Sequence, residues 1–266
     1  HYLGNNISYL LAEKSILTVY DLMWKYYRDL GKRSVTSKYF AITVPYSIRK
    51  AKAVITISEF IAKEIKEKNI RKNKIYPILL APGYLSKNIN DLKSNYVELA
   101  ETPYIYSVTT SMPHKNLKIL LIAFNKIIKE KRFIGKLVIS GQLKGDYKED
   151  TFNFISTNNL TKYVIITGFV SEEDKAFLYK HALCFVYPSL YEGFGLPILE
   201  AMESNVPVIA SNAASIPEVG GEACLYFNPS SAEDLLDKIV LLINNTVLQK
   251  DLIEKGKVQF AKFNWH

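Results

Sequence analysis

No stretch of this sequence approaches the ~20 consecutive apolar residues that a membrane-spanning helix needs, and no leader of basic, apolar and small residues stands at its start. The expectation is a protein neither integral to a membrane nor visibly secreted. Cysteine is scarce: Cys184 in Ala182–Val186 and Cys224 in Ala223–Tyr226 occupy apolar, strand-like settings with no metal-ligand spacing. Both read as buried hydrophobes in a reducing, cytoplasmic setting. The chain also lacks any Asp-x-Asp pair that could hold a divalent cation, and it has no internal repeat or low-complexity tract.

What is present is a globular composition. The 266 residues are 48% hydrophobic and 12% aromatic, enough for one large or two small domains with a sizeable core. The formal charge of +8 is unevenly placed: residues 25–75 carry fourteen bases against four acids, an excess of ten, so the rest is near neutral or slightly acidic. Anionic lipid headgroups, nucleic acid or a phosphorylated acceptor would each suit such a region, and so would plain solvated helix faces. No nucleic-acid reading motif accompanies it.

Short apolar and β-branched runs mark strands at Ser15–Tyr20, Ala53–Ile57 and Ile75–Leu80. Between them lie an aromatic and basic segment of helical spacing, Lys38–Lys52, and an amphipathic helix, Glu59–Asn69, capped by Ser58. A further helix is expected around Ile7–Ala12. Residues 1–83 therefore read as a partial α/β domain, and the polar stretch 84–103 as a linker. From Tyr104 to the end, strands at 104–108, 137–140, 164–167, 183–186, 206–210 and 224–227 alternate with helices at 117–131, 147–157, 172–179, 196–204 and 232–243. Ser171 with Asp174 approximates a capping box. Such alternation implies a parallel sheet with helices on both faces.

Ligands bind such sheets beyond the carboxyl ends of the strands, where Thr109–Asn116, Gly141–Gly145, Gly168–Ser171, Pro188–Gly195 and Ser211–Ser215 fall. The most informative run is Tyr187–Met202. Gly193 and Gly195 permit a tight turn before a helix whose first amides have no partner in the helix, which is a setting for phosphate. Glu192 and Glu200 flank that turn with seven residues between them. Spacing alone equally allows a loop that merely starts a helix, with both carboxylates solvated. Lys115 is open in the same way: it is a cation beside fresh backbone donors, or an ordinary exposed lysine.

Taken as a string, Pro188-Ser189-Leu190-Tyr191-Glu192-Gly193-Phe194-Gly195-Leu196-Pro197-Ile198-Leu199-Glu200-Ala201-Met202 closely resembles the E-x7-E signature of the retaining GT-B glycosyltransferases of the group 1 family. Pro113-His114-Lys115-Asn116 resembles that family's P-R-K-N segment, with His114 for the arginine and Thr109-Thr110 for a Gly-Arg or Gly-Ser pair. Thr167–Ser171, Ser211–Val219 and Phe263-Asn264-Trp265 resemble further family segments. So do Val19-Tyr20-Asp21-Leu22, with Tyr20 where the family has histidine, and Val54–Phe60.

The resemblance implies two Rossmann-like domains, the first truncated at its N-terminus, with a nucleotide-sugar domain at 104–266. A stop at Trp265-His266 suggests that the family's final helices are missing too. In the donor site the resemblance places Glu192 on the sugar, Glu200 on the ribose, and Lys115 with Thr109, Thr110 and the backbone of Gly193, Phe194, Gly195 and Leu196 at the diphosphate. Gly168, Phe169 and Val170 would meet the base, and Tyr20 and Asp21 would face the sugar and acceptor. The implied activity is metal-independent, cofactor-free hexosyl transfer from GDP-mannose, or second from a UDP-sugar, to a glycan or lipid-diphosphate acceptor. The setting would be surface-polysaccharide synthesis, since the P-x-K-N form is similar to that of bacterial mannosyltransferases, and the basic first domain would suit a peripheral place on the inner membrane face. A GT-B epimerase or phosphorylase, or a non-catalytic nucleotide-binding fragment, is the alternative.

Overall fold

The computed structural model describes residues 1–3, 12–23, 35–83 and 94–264. They form two compact units, one of His1–Leu80 with Tyr191–Gly195, the other of Ala81–Leu190 with Leu196–His266. Residues 7–11 of the helix expected near the start, the bases Lys25, Arg28, Lys32 and Arg33, linker positions 84–93 and Trp265 lie outside the described residues.

In the first unit, strands β1 (Tyr2–Leu3), β2 (Ile16–Val19), β3 (Ala53–Thr56) and β4 (Ile75–Pro77) pair in that order, all parallel. The last three coincide with the apolar runs in the sequence. Two residues are too few for β1 to show a pattern. Helix α1 (Val35–Lys50) runs through Pro45, which cannot donate a backbone hydrogen bond there. Helix α2 (Glu59–Glu67) starts where expected: the Ser58 hydroxyl accepts from the Ile61 amide, and Ile61, Ala62 and Ile65 are buried. Arg71 donates to the carbonyls of Ile48, Ala51 and Asn73. This base of the 25–75 region therefore caps the end of α1 and is not part of an open cationic face, and burial lowers its pKa.

The second unit holds a sheet of six parallel strands: β5 (Tyr104–Val108), β6 (Lys136–Ser140), β7 (Val164–Gly168), β8 (Cys184–Tyr187), β9 (Val208–Ser211) and β10 (Cys224–Phe227). Their spatial order is β10-β9-β8-β5-β6-β7. Counted from β5, that is the 3-2-1-4-5-6 order of doubly wound dinucleotide-binding sheets. Crossover helices are α3 (Leu117–Lys129), α4 (Gly145–Thr157), α5 (Glu172–Lys180), α6 (Leu196–Glu203) and the short α7 (Ile216–Gly220). Helices α8 (Ala232–Ile243) and α9 (Thr246–Phe260) follow β10.

Alternation along the strands gives the two faces of this sheet different chemistry. Ile105, Cys184, Val186 and Ile209 join one aliphatic core with Leu120, Phe124, Leu236 and Ile239 of α3 and α8. On β5 and β8, Tyr106 and Phe185 point the other way and meet Tyr179 of α5, with ring centroids 4.9 and 5.2 Å from it. Both cysteines are buried and free, and burial pushes their thiols up to about 12.

At the start of α5 the Ser171 hydroxyl accepts from the Asp174 amide, as the sequence suggests. The Asp174 carboxylate makes a different set of bonds: it accepts from Ser94 Oγ (2.9 Å), the Asn95 amide (2.8 Å) and Asn95 Nδ2 (2.8 Å). Burial by itself would raise its pKa, but these bonds outweigh burial and hold the carboxyl below its ordinary value. Asp174→Ala should therefore destabilise the unit by about 2–3 kcal/mol. Because the folded pKa is depressed, the contribution is full above the unfolded value of about 3.9 and fades as pH falls through the folded value. Urea denaturation at pH 7 and pH 3 checks both; equal stability of wild type and variant at pH 7 would contradict the anchoring role.

Candidate functional site

Strand order places the chemistry of the second unit. Neighbours β5 and β8 lead their chains to opposite halves of the sheet, which makes their carboxyl ends the switch point, the place where such sheets bind ligands. The loops after them in this unit are Thr109–Asn116 and Pro188–Leu190. They touch: the Leu190 amide donates to the His114 carbonyl at 2.7 Å.

Lys115 closes a short 3-10 turn, Pro113–Lys115, and thus lies ahead of α3, not inside it. Its ammonium sits 5.6 Å from the centre of the Tyr187 ring and 3.5 Å from that hydroxyl, at the end of β8. Asn116 then adopts a left-handed conformation (φ 55°) and starts α3. Its Nδ2 donates to the carbonyls of Pro188 (3.0 Å) and Pro229 (2.9 Å), tying together the loops after β5, β8 and β10. Thr109 is buried and Thr110 exposed. Ser189 keeps a buried hydroxyl with no partner among the described residues.

Helix α6 carries Glu200, and α5 holds it. Lys175 Nζ lies 3.0 Å from Oε1, and the Tyr179 hydroxyl donates to Oε2 at 3.0 Å. Burial opposes the charge on Lys175, but its bond to Glu172 and the nearby Glu200 carboxylate raise its pKa and keep it cationic. Burial, then Glu200, drives the Tyr179 pKa well up, so the phenol remains a donor. At the end of β7, Gly168 has φ 72° and Phe169 is 89% exposed, an aromatic ring left in solvent at the carboxyl edge of the sheet.

The remaining predicted residues cluster in the first unit. Tyr191 donates to Glu64 Oε2 (2.7 Å), accepts from the Leu22 amide (3.1 Å) and meets Phe60 edge-on. Ser58 Oγ donates to the Gly193 carbonyl at 2.8 Å. A Cβ on Gly193 would lie 1.9 Å from the Tyr20 carbonyl oxygen, so only glycine fits. Gly195, with φ 140°, makes the turn into α6. Glu192 is half-buried beside Gly193, and Asp21 accepts from the Met23 amide.

The structure thus sorts the predicted residues into two sets. Thr109, Thr110, Lys115, Gly168, Phe169, Val170, Leu196 and Glu200 belong to the second unit, and Tyr20, Asp21 and Glu192–Gly195 to the first. The tying role of Asn116, a residue of the P-x-K-N segment, was not expected, nor were Lys175 and Tyr179. The four-residue spacing of Lys175 and Tyr179 on one helix was the available signal.

A doubly wound sheet in this strand order, with a lysine turn after β5, is a domain of Rossmann type. Residues 88–259 match the family model of glycosyl transferases group 1, and the chain belongs to that family. It is 31% identical over 234 residues to the O-antigen chain mannosyltransferase B of Escherichia coli, a match covering 86% of this chain and 61% of that relative. The chain thus spans about three fifths of that relative's length. Among solved structures, sucrose-phosphate synthase of Thermosynechococcus elongatus is similar with a TM-score of 0.80 at 22% identity, over 94% of this chain and 64% of that one. Anabaena HepE, solved with UDP and glucose, gives 0.76 at 17%, over 93% and 67%. The fold is of GT-B type.

Asn116→Ala would lose two side-chain hydrogen bonds and place alanine in a left-handed conformation, at a cost of about 2–3 kcal/mol. Asn116→Gly should recover the backbone part alone. Chemical denaturation of the three proteins tests this; an alanine variant as stable as wild type would remove the tying role.

Proposed function

We propose that the protein is a retaining, metal-independent hexosyltransferase that takes its sugar from a nucleotide diphosphate donor, with GDP-mannose the first candidate and UDP-sugars the second. The acceptor is a glycan or lipid-linked diphosphate of cell-surface polysaccharide synthesis. One observation carries this reading. The lysine turn after β5 and the loop after β8 are hydrogen-bonded to each other at the switch point, where a doubly wound sheet binds its nucleotide. Family membership and the similarity to a mannosyltransferase support the chemistry and the sugar.

In the reaction the bond from the anomeric carbon to the diphosphate oxygen breaks. Negative charge grows on the leaving diphosphate while the sugar becomes cationic. Lys115, the amides from Phe194 to Leu196, and Thr109 and Thr110 are assigned to the diphosphate, whose growing charge they stabilise. The chain has no Asp-x-Asp pair to bring a metal to that task. Glu192 orients the sugar hydroxyls, Glu200 accepts from the ribose, and Phe169, flanked by Gly168 and Val170, stacks on the base. The acceptor hydroxyl attacks from the face the leaving group vacates and passes its proton to the departing diphosphate oxygen, which retains the anomeric configuration.

Tyr20 and Asp21 belong to the acceptor side, in the first domain. Its basic stretch gives that domain a peripheral hold on an anionic inner membrane face. Exposed Tyr39 and Ile42 on α1 suit such a surface. Among the described residues no helix is long and apolar enough to cross a membrane.

Thermal-shift screening of nucleotide sugars should single out a donor, with GDP-mannose giving the largest upward shift. With that donor, Lys115→Ala should lower turnover by roughly 10² to 10³, the usual loss for one preorganised charge partner. Unchanged turnover would remove the diphosphate role.

A further inference from the structure

Resting on the ribose role given to Glu200, we propose that Lys175 and Tyr179 are positioning residues that hold the Glu200 carboxylate in the one orientation that accepts both hydroxyls of a ribose diol. Lys175 and Tyr179 stand four residues apart on α5, so both face the same way, toward α6. Each takes a different oxygen of the carboxylate, at 3.0 Å in both cases. The pair therefore fixes the plane of the carboxylate, which a single donor would leave free to rotate.

The donors are themselves held. Tyr179 is fully buried, and its ring lies edge-on to Tyr106 and tilted against Phe185 on the sheet. Lys175 is braced by Glu172 at 2.9 Å, and the Lys175 and Glu200 side chains are each only 20% exposed. An ionised carboxylate offers about four acceptor positions. Two are taken by α5, so one position on each oxygen remains, and a vicinal cis-diol donates two near-parallel O–H bonds to such a pair.

Charge supports the same assignment. A lone carboxylate near the anionic diphosphate of a nucleotide would repel it, whereas Lys175 offsets that charge without occupying all of the acceptor capacity. Holding the glutamate before the ligand arrives also removes the entropy loss of ordering a flexible side chain on binding.

The test is the preference for ribose over 2′-deoxyribose, measured by calorimetry with GDP and 2′-deoxy-GDP and, as a second pair, UDP and 2′-deoxy-UDP. Wild type should favour the ribonucleotide, and Glu200→Ala should abolish that preference. Lys175→Met and Tyr179→Phe should each reduce the ratio by about tenfold, chiefly by weakening the ribonucleotide. Lys175→Arg should retain most of it. A role confined to stability would lower the melting temperature and leave the ratio alone. If wild type binds neither pair, or binds both members of a pair equally, the ribose reading of Glu200 fails. If wild type discriminates and Glu200→Ala does not, but Lys175→Met and Tyr179→Phe keep the wild-type ratio, the positioning role is overturned.

Discussion

The pairing of β5 with β8 is the constraint on which the second unit depends. Ile105 aligns with Cys184 and Tyr106 with Phe185, which puts two strands separated by nearly eighty residues of chain side by side. From that adjacency follow the switch point at their carboxyl ends, the bond from Leu190 to His114, and the placing of Lys115 against Tyr187. The aromatic face of the same two strands seats Tyr179, and through it one oxygen of Glu200. A core choice on β5 and β8 is therefore also a choice about the site.

The first unit obeys a different constraint. Residues Tyr191–Gly195 pack there through the Tyr191 hydroxyl, the Gly193 carbonyl and the absence of a Cβ at Gly193. Both glycines of the motif thus have structural reasons to be glycine, one for close approach and one for a positive φ. The hydroxyl of Tyr191, between Leu190 and Glu192 in the motif, bonds both the Leu22 amide and Glu64.

Much of this was legible in the sequence because the physics was local. Parallel strands buried on both faces read as short apolar runs, and Ser58 and Ser171 announced helix starts by their capping chemistry. Helix α9 escaped because its buried residues are Leu252, Gly256 and Gln259, which leave no apolar stripe. Gly256 is there to let Met202 approach, and Gln259 donates to the Val219 carbonyl, neither of which periodicity can register. The Asn245 cap, accepting from the Leu248 amide, was the remaining clue. Capping-box logic similarly found Asp174 but not the use of its carboxylate, because Ser94 and Asn95 are distant in sequence. In the candidate site, the motif residues were visible, Asn116 among them, while the loops that Asn116 ties together and the role of Lys175, defined by what they reach across the fold, were not.

On the function proposed above, a nucleoside diphosphate binds beyond the carboxyl ends of β5 and β8. Hydrogen–deuterium exchange of the whole chain with and without saturating GDP or UDP tests it most directly, since amides in contact with a diphosphate and at an ordered helix start become protected. Protection concentrated in residues 109–118 and 188–200, with smaller effects elsewhere, is the predicted result. Protection that spares both segments and falls at another edge of the sheet would contradict the account.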